Sequence, residues 1–393
     1  MMIDNFKKFQ AQTTNHPLGI EVIKAEGSYI YDRKKKYLDL VAGVSVQNLG
    51  HCNSELNKSI VNQLKKYSHV MVYGEFVQKP SLQLCKLLNK ILPKNLNSTY
   101  LTNSGTEAIE AALKLAKRAT GRSRIISALN SYHGSTHGSM SVSGFEQRKR
   151  AYRPLLPNID FIKFNCENDI SKIDRSTSCV ILETIQGGAG FIEPKQNFLK
   201  KISKKCKEVG ALLILDELQT GLGRTGKMFA FEHYDISPDI LVLGKSLGGG
   251  FPIGAMISDI SLMNKLKSKP ILGHITTFGG HPVISQAGLT TLKIILRDKL
   301  FEKAKISELK FRQRLKHPSI IEIRGKGLML ALILKSNELA KKLVIKSLEK
   351  GLILFWLLYE STAVRITPPL NITDKEIKIS SEIILKTLDE IYN

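Results

Sequence analysis

The sequence predicts an α/β protein: a large domain with a mostly parallel sheet flanked by helices, followed by a smaller α+β region. Three observations point there. Short aliphatic runs at 178–182, 211–215 and 240–243 have the length and composition of strands buried on both faces. Helix-patterned stretches separate such runs along the chain, and strands alternating with helices pair in parallel through right-handed crossovers. After Pro252 the pattern changes, and the tail mixes strands and helices with apolar residues of its own. The runs end in Glu183, in Asp216, and in a glycine followed by Lys245. Open α/β sheets bind ligands beyond the carboxyl ends of their strands, so these groups are expected to face one crevice. Gly248 to Gly250 follow the lysine and let the backbone come close to a ligand.

In chain order, residues 1–20 are polar and predict an irregular arm or one short helix. Residues 19–40 predict two or three strands, with GSYIYD and KKKYLDL forming a hairpin about a charged turn. A loop and a helix follow, capped by Asn53 or Ser54, and a second amphipathic helix spans 80–93. Thr99 to Leu101 end a strand or turn. Ser104 and Glu107 then form the S-x-x-E capping box of a helix closed by Gly121. Gly105, one residue past the cap, leaves N–H groups open at a positive helix end, which is a ready phosphate site. RIISA at 124–128 is a strand. The loop NSYHGSTHGSMSVSG, with three glycines and several hydroxyls, is expected to lie over something and not in the core. Strands are expected at 159–164 and 178–182. Beyond 252, a Gly/Thr/His loop at 272–282 leads into one long helix from 283 past 297. Strand–loop–strand follows at 320–334, then a helix at 336–350, two more strands to about 370, and a closing helix at 374–391.

The chain has 393 residues, long enough for a large core with a smaller domain attached. With 42% hydrophobic and 24% charged residues it has the composition of a globular protein and not of a disordered one. The net charge of +23 raises nucleic-acid or membrane binding. The lysines, however, fall in small groups on predicted helix surfaces (Lys65, Lys66, Lys200, Lys201, Lys204, Lys205), without interleaved aromatics. The charge therefore reads as compositional, in a chain crowded with Lys, Ile and Asn. Five cysteines without a C-x-x-C pair read as free thiols of a cytoplasmic protein. No signal peptide is expected, and the longest apolar stretch, 352–358, is too short to span a bilayer.

DELQTGLGRTG with PDILVLGKSLGGGFPIGA closely resembles the signature of the class III (ω-) aminotransferases, a family that includes acetylornithine, ornithine and 4-aminobutyrate aminotransferases. The resemblance runs from HPLGIEV at 16–22 to VRITPPL at 364–370. It implies the fold type I of pyridoxal-phosphate-dependent transferases, with a small domain made from the two chain ends (1–50 and 286–393) around a cofactor-binding domain (51–285). It also implies a homodimer with shared active sites, acting on a small-molecule amine and a 2-oxo acid. Lys245 matches the lysine that bonds to the cofactor aldehyde and carries the substrate proton. A lysine in a desolvated, phosphate-lined pocket can be neutral near pH 7, as that chemistry needs. Asp216, which alone would read as a helix N-cap, matches the carboxylate that keeps the ring nitrogen protonated. By the same resemblance Gln219 bonds the ring hydroxyl, Leu218 and Tyr132 sandwich the ring, and Glu183 lies near its Asp216 side. Gly105 and Thr106 hold the phosphate, and Thr277 reaches it from the neighbouring subunit. Arg365 matches the arginine that receives a substrate α-carboxylate, bidentately.

Four positions depart from the ornithine-type pattern. Ser135 stands where an arginine takes a distal carboxylate, and Gly188 stands where a glutamate pairs with the C-terminal arginine. Asn15 and Val44 stand where ornithine aminotransferases carry tyrosines. The expected reaction moves an amino group from an ω-amine, N-acetylornithine first, to 2-oxoglutarate in arginine biosynthesis. Ornithine, 4-aminobutyrate and lysine-pathway donors come second, and a glutamate-semialdehyde mutase third. A basic nucleic-acid binder on the same fold is the competing class, and the intact set Asp216, Gln219 and Lys245 argues against it.

Overall fold

In the computed structural model, which describes residues 2–195 and 197–392, the strands in chain order are β1 (Lys24–Glu26), β2 (Tyr29–Tyr31), β3 (Lys36–Asp39), β4 (Ser98–Thr102), β5 (Arg124–Ala128), β6 (Ile159–Ile162), β7 (Thr177–Glu183), β8 (Leu212–Asp216), β9 (Ile240–Leu243), β10 (Gly254–Ser258), β11 (Ile320–Lys326), β12 (Met329–Leu334), β13 (Leu352–Ile353), β14 (Phe355–Trp356) and β15 (Ala363–Ile366). The central sheet has the order β4-β10-β9-β8-β7-β5-β6. From β5 through β9 the pairing is parallel. β10 runs antiparallel between β4 and β9. It is not among the sequence expectations: GAMIS has no period of its own, and only the slot between two strands makes it one.

Every residue of β7 is buried. Along the sheet, Val180, Leu182, Leu213 and Leu215 enter one apolar cluster. The alternate residues Cys179, Ile181, Ile214 and Val242 enter another, together with Ala108, Ile109 and Ala112 of the helix Gly105–Thr120. Both faces are thus covered, as a parallel sheet requires. Each fully buried Leu or Ile contributes about 1.5–3 kcal/mol relative to exposure.

The helix Gly105–Thr120 starts as the capping box predicts, with the Glu107 N–H donating to Ser104 Oγ at 3.3 Å. The return bond is displaced by one residue: Glu107 Oε2 accepts from the Asn103 N–H at 2.7 Å. Gly121 ends the helix at φ +69°. Asn53 caps the helix Ser54–Leu64, accepting the Leu56 N–H at 3.0 Å.

Two expectations need correction. The segment 130–144 is not simply an overlying loop. It contains a short helix, His137–Val142, whose Gly138, Ser139, Ser141 and Val142 are buried. Its small residues let it pack onto the helix Gly105–Thr120, and a Cβ at Gly138 would strike the Glu110 carboxylate. The long helix from 283 is broken as well. Pro282–Arg297 stops, Lys299 adopts φ +46°, and Leu300–Arg314 starts afresh.

The two chain ends meet in one sheet, β1-β2-β3-β13, where Leu352 and Ile353 pair in parallel with Leu38 and Asp39. β11-β12-β15-β14 form the remaining sheet. One apolar cluster runs from Leu38 through Leu215 to Leu388, so no gap in the core marks a boundary. We propose the partition into 51–285 and the two ends 1–50 and 286–393 on the sheet pairing alone.

Candidate active site

The carboxyl ends of β4, β5, β7, β8 and β9 surround one cavity of about 300 Å³. Gly105 and Thr106 line it from beyond β4, and Tyr132 from beyond β5. Glu183 lines it at the end of β7, Asp216, Leu218 and Gln219 at the end of β8, and Lys245 just past β9. Glu183 and Asp216 are direct cross-strand partners. Arg365 enters from β15, in a different sheet. Thr277 lies apart: it is exposed on the loop after Leu266 and does not line the cavity of its own chain. Its neighbour Thr276 accepts a hydrogen bond from Asn103 Nδ2 at 2.7 Å, which holds that loop beside the start of the helix Gly105–Thr120.

Asp216 is 4% exposed, and each of its oxygens accepts one hydrogen bond. Its Oδ1 accepts the Leu218 N–H at 3.0 Å, and its Oδ2 lies 2.8 Å from His133 Nδ1. An ionised carboxylate only accepts, so Nδ1 carries the proton. Asp216 is therefore not a helix N-cap, since a run of turns follows it. His133 is the residue that the sequence reading passes over. Its side chain is fully buried, its N–H donates to Ser143 Oγ at 3.0 Å, and its Nε2 has no partner. A histidine directly after Tyr132 in a glycine-rich loop was the available signal.

Glu183 accepts the N–H groups of Gly187 at 2.9 Å and Tyr132 at 3.1 Å, tying two lining loops to one strand end. Burial pushes its carboxyl up to about 7; the His133 ring opposes this, and Asp216 adds to it. Glu217, also buried, is raised to about 7 by desolvation. It holds the turn behind the site by accepting from Ala230 N, Phe231 N and Thr184 Oγ.

Lys245 is half-buried, and its side chain makes no hydrogen bond or ion pair among the described residues. It sits at φ +44°, a left-handed conformation that is costly for a side chain of its size. Burial lowers its pKa from the ordinary amine value, the charges of Asp216 and Glu183 oppose that shift, and Arg365 reinforces it.

The cavity wall opposite the strand ends carries the departures. Ala42, Gly43, Val44 and Ser45 all have φ between +50° and +65°, a left-handed turn that brings Val44 to the cavity. Ser45 Oγ accepts from Gln219 Nε2 at 3.2 Å. Ser135 lines the cavity, its Oγ 3.2 Å from the Tyr132 hydroxyl. Gly188 also lines it, whereas Asn15 is exposed and does not.

A phosphorylated aromatic aldehyde fits this arrangement. The N–H groups of Gly105 and Thr106 open the helix with no acceptor among the described residues. Position 105 must lack a side chain, since a Cβ there would lie 2.5 Å from Leu218 Cδ2. A lysine without a partner and a buried carboxylate complete the donor set. Among the described residues no cluster could hold a metal ion, and no helix is long and apolar enough to cross a membrane.

Comparison with known proteins follows the same line. The family model "Aminotransferase class-III" matches residues 9–388. An acetylornithine aminotransferase of Archaeoglobus fulgidus is 37% identical over 389 residues, covering 98% of this chain and 99% of that protein. A [LysW]-aminoadipate semialdehyde/glutamate semialdehyde transaminase of Sulfolobus acidocaldarius is 36% identical over 382 residues, covering 95% and 96%. The ornithine aminotransferase of Toxoplasma gondii, whose structure has partial occupancy of PLP at the active site, superposes with a TM-score of 0.91 at 27% identity, covering 100% of this chain and 94% of that one. With strand ends, a half-buried lysine in the cavity and the family match in agreement, the chain belongs to the class-III aminotransferases.

Proposed function

We propose that this transaminase moves an amino group from the ω-amine of N-acetylornithine to 2-oxoglutarate, giving glutamate, with pyridoxal phosphate as cofactor. The observation that carries the reading is the single cavity that joins Lys245, a buried Asp216 and a buried Arg365 whose Nη1 has no partner. When bound, pyridoxal phosphate supplies the aldehyde that takes the amino group and a ring that accepts electrons.

The side chains of this protein divide the remaining work. Lys245 Nζ is the amine that would hold the cofactor and, as a free amine, would take the proton from the substrate carbon and return it. Its lowered pKa leaves it more often neutral, as a base must be. Asp216 would accept a hydrogen bond from the ring nitrogen and keep it protonated, and His133 orients that carboxylate through the 2.8 Å contact. Gly105 and Thr106 N–H groups bind the phosphate at the positive helix end. Tyr132 and Leu218 would cover the two ring faces, Glu183 holds the Tyr132 and Gly187 loops together, and Gln219 would reach the ring hydroxyl. Arg365 binds the α-carboxylate of 2-oxoglutarate and glutamate.

A lysine-pathway amine is the second donor reading, supported by the similarity to the Sulfolobus acidocaldarius transaminase. We place the enzyme in a homodimer in the cytoplasm. Support for the dimer comes from the apolar residues Phe76, Val77, Ile271 and Phe278, which are exposed beside the Thr277 loop, Val77 at 88%. Thr277 then serves the partner's phosphate site. Sedimentation of the holoenzyme tests this, and a monomer at working concentration overturns it.

A half-reaction panel decides the donor. Cofactor-loaded enzyme is mixed with N-acetylornithine, ornithine, 4-aminobutyrate and α-amino acids, and the loss of its visible absorbance is followed. N-acetylornithine is expected to react fastest among the ω-amines. Reaction with α-amino acids alone removes the ω-amine reading.

A further inference from the structure

The turn that carries Val44 to the cavity is strained, and it is held from outside. Ala42, Gly43, Val44 and Ser45 lie at φ +50°, +61°, +65° and +65°. Left-handed backbone is costly for any residue with a Cβ, and most of all for a β-branched one. Such a turn persists only where its surroundings over-determine it. Asp39, buried at the end of β3, supplies that hold. Its Oδ1 accepts the Val41 N–H at 2.8 Å and the Ala42 N–H at 3.0 Å, the two that open the turn. Its Oδ2 lies 2.9 Å from His51 Nε2, and since an ionised carboxylate only accepts, Nε2 carries the proton. The His51 backbone exchanges two hydrogen bonds with Gly27, between β1 and β2, at 2.7 and 3.0 Å. Thr367, two residues past Arg365, closes the other side: its Oγ1 donates to the Val41 carbonyl at 3.0 Å. At the far end of the turn, the buried Ser45 Oγ accepts from Gln219 Nε2 at 3.2 Å. Gln219 lines the cavity, whereas neither Asp39 nor His51 does.

We propose that Asp39 and His51 are positioning residues for the cofactor end of the cavity: the pair clamps the left-handed turn 42–45, and the turn sets Ser45 against the Gln219 amide. With one N–H bonded to Ser45, that amide cannot rotate freely, and its remaining groups stay turned to the place of the ring hydroxyl. Without the clamp the strained backbone relaxes, Ser45 withdraws, and the amide loses its orientation. The proposal rests on the aminotransferase reading and deepens it, by naming two residues that act on the ring's surroundings without touching the ring.

A double-mutant cycle read by cofactor binding tests this chain of contacts. His51→Leu removes the donor to Asp39 and leaves an apolar side chain in its place. It is expected to weaken pyridoxal phosphate binding about three- to tenfold, the range of one hydrogen bond, and to move the visible band of the loaded enzyme. His51→Gln, which keeps an N–H, is expected to restore both. Ser45→Ala cuts the link to Gln219 and is expected to produce the same changes by itself. Added to Ser45→Ala, His51→Leu should cost less than about twofold more, because both changes break one path. An equal loss from His51→Leu with and without Ser45 means general loosening and overturns the proposal. A loss below about twofold in His51→Leu alone overturns it too. If His51→Leu does not fold, Asp39→Asn takes its place in the cycle, since it keeps an oxygen for the two N–H groups and removes the charge. A second arm needs no cofactor. In the apoprotein, hydrogen exchange at the Val41 and Ala42 amides is expected to quicken about tenfold in His51→Leu, and an unchanged rate overturns the clamp. If the unaltered protein binds no pyridoxal phosphate, the aminotransferase reading fails, and the exchange arm still decides the clamp.

Discussion

The strand-end side of the cavity and the wall that faces it are built on opposite terms. At the strand ends the acids are engaged by the protein: Asp216 by His133 and the Leu218 N–H, Glu183 by two backbone N–H groups. On the facing wall a buried guanidinium is left with one bond to a carbonyl and an unpartnered nitrogen. Groups that meet the same cofactor in every turnover can be held rigidly by the protein itself. A group that meets a succession of substrates has to leave part of its bonding to them. Changes at the strand ends should therefore damage both half-reactions alike, and changes on the wall should separate one substrate from another.

The largest test of that division is Lys245→Ala. Both half-reactions are expected to fall by about 10³-fold or more, the scale of a lost general base, in single-turnover absorbance with glutamate and with 2-oxoglutarate. A loss confined to one direction would move Lys245 from shared machinery to substrate recognition. His133→Phe comes next. It removes a hydrogen bond to a charged carboxylate, about 1.5–3 kcal/mol, so kcat should drop about 10- to 100-fold for every substrate with KM little changed. A drop in a single substrate's KM term would break the comparison.

Gly105→Ala probes the phosphate end. The added methyl meets Leu218 Cδ2 at 2.5 Å, and overpacking of this kind costs about 1–3 kcal/mol. The expected outcome is a smaller rise in Tm on adding pyridoxal phosphate, with selectivity among amines unchanged. The pH dependence of stability sharpens the contrast from another direction. Glu183 and Glu217 are both raised from 4.5 to about 7 by burial. The folded state thus holds protons that the unfolded state has released, and their contribution is complete below about pH 4.5 and is lost as pH rises through about 7. Urea unfolding should show stability falling across that window, and Glu217→Gln should flatten the fall. The smallest effect belongs far from both regions. Asn53→Ala removes a cap and should cost about 1 kcal/mol in denaturant unfolding, with both half-reactions intact.

Much of the strand-end side was legible in one dimension. The aliphatic runs ending in Glu183, Asp216 and Lys245 place those groups at one edge of a parallel sheet, because a strand's direction follows from its crossovers. The S-x-x-E box marked the helix start that adjoins the cavity, since capping is local chemistry. His133 escaped because its bond to Asp216 joins residues 83 positions apart, and no local pattern encodes it. The segment 130–144 misled because serines and glycines suit exposed loops and tight helix contacts equally well. β10 escaped because five residues without alternation become a strand only between β4 and β9.

What the sequence by itself determined is the alternation of strands and helices, the chemistry at each strand end and the family signature around Lys245, all set by short-range periodicity and residue type. Tertiary structure alone decided which groups stay unsatisfied. Arg365 Nη1 is left without a partner, and Tyr359, 171 residues from Gly188 in the chain, fills the space that a side chain at 188 would take; such exclusion of volume between distant segments exists only once the chain has folded.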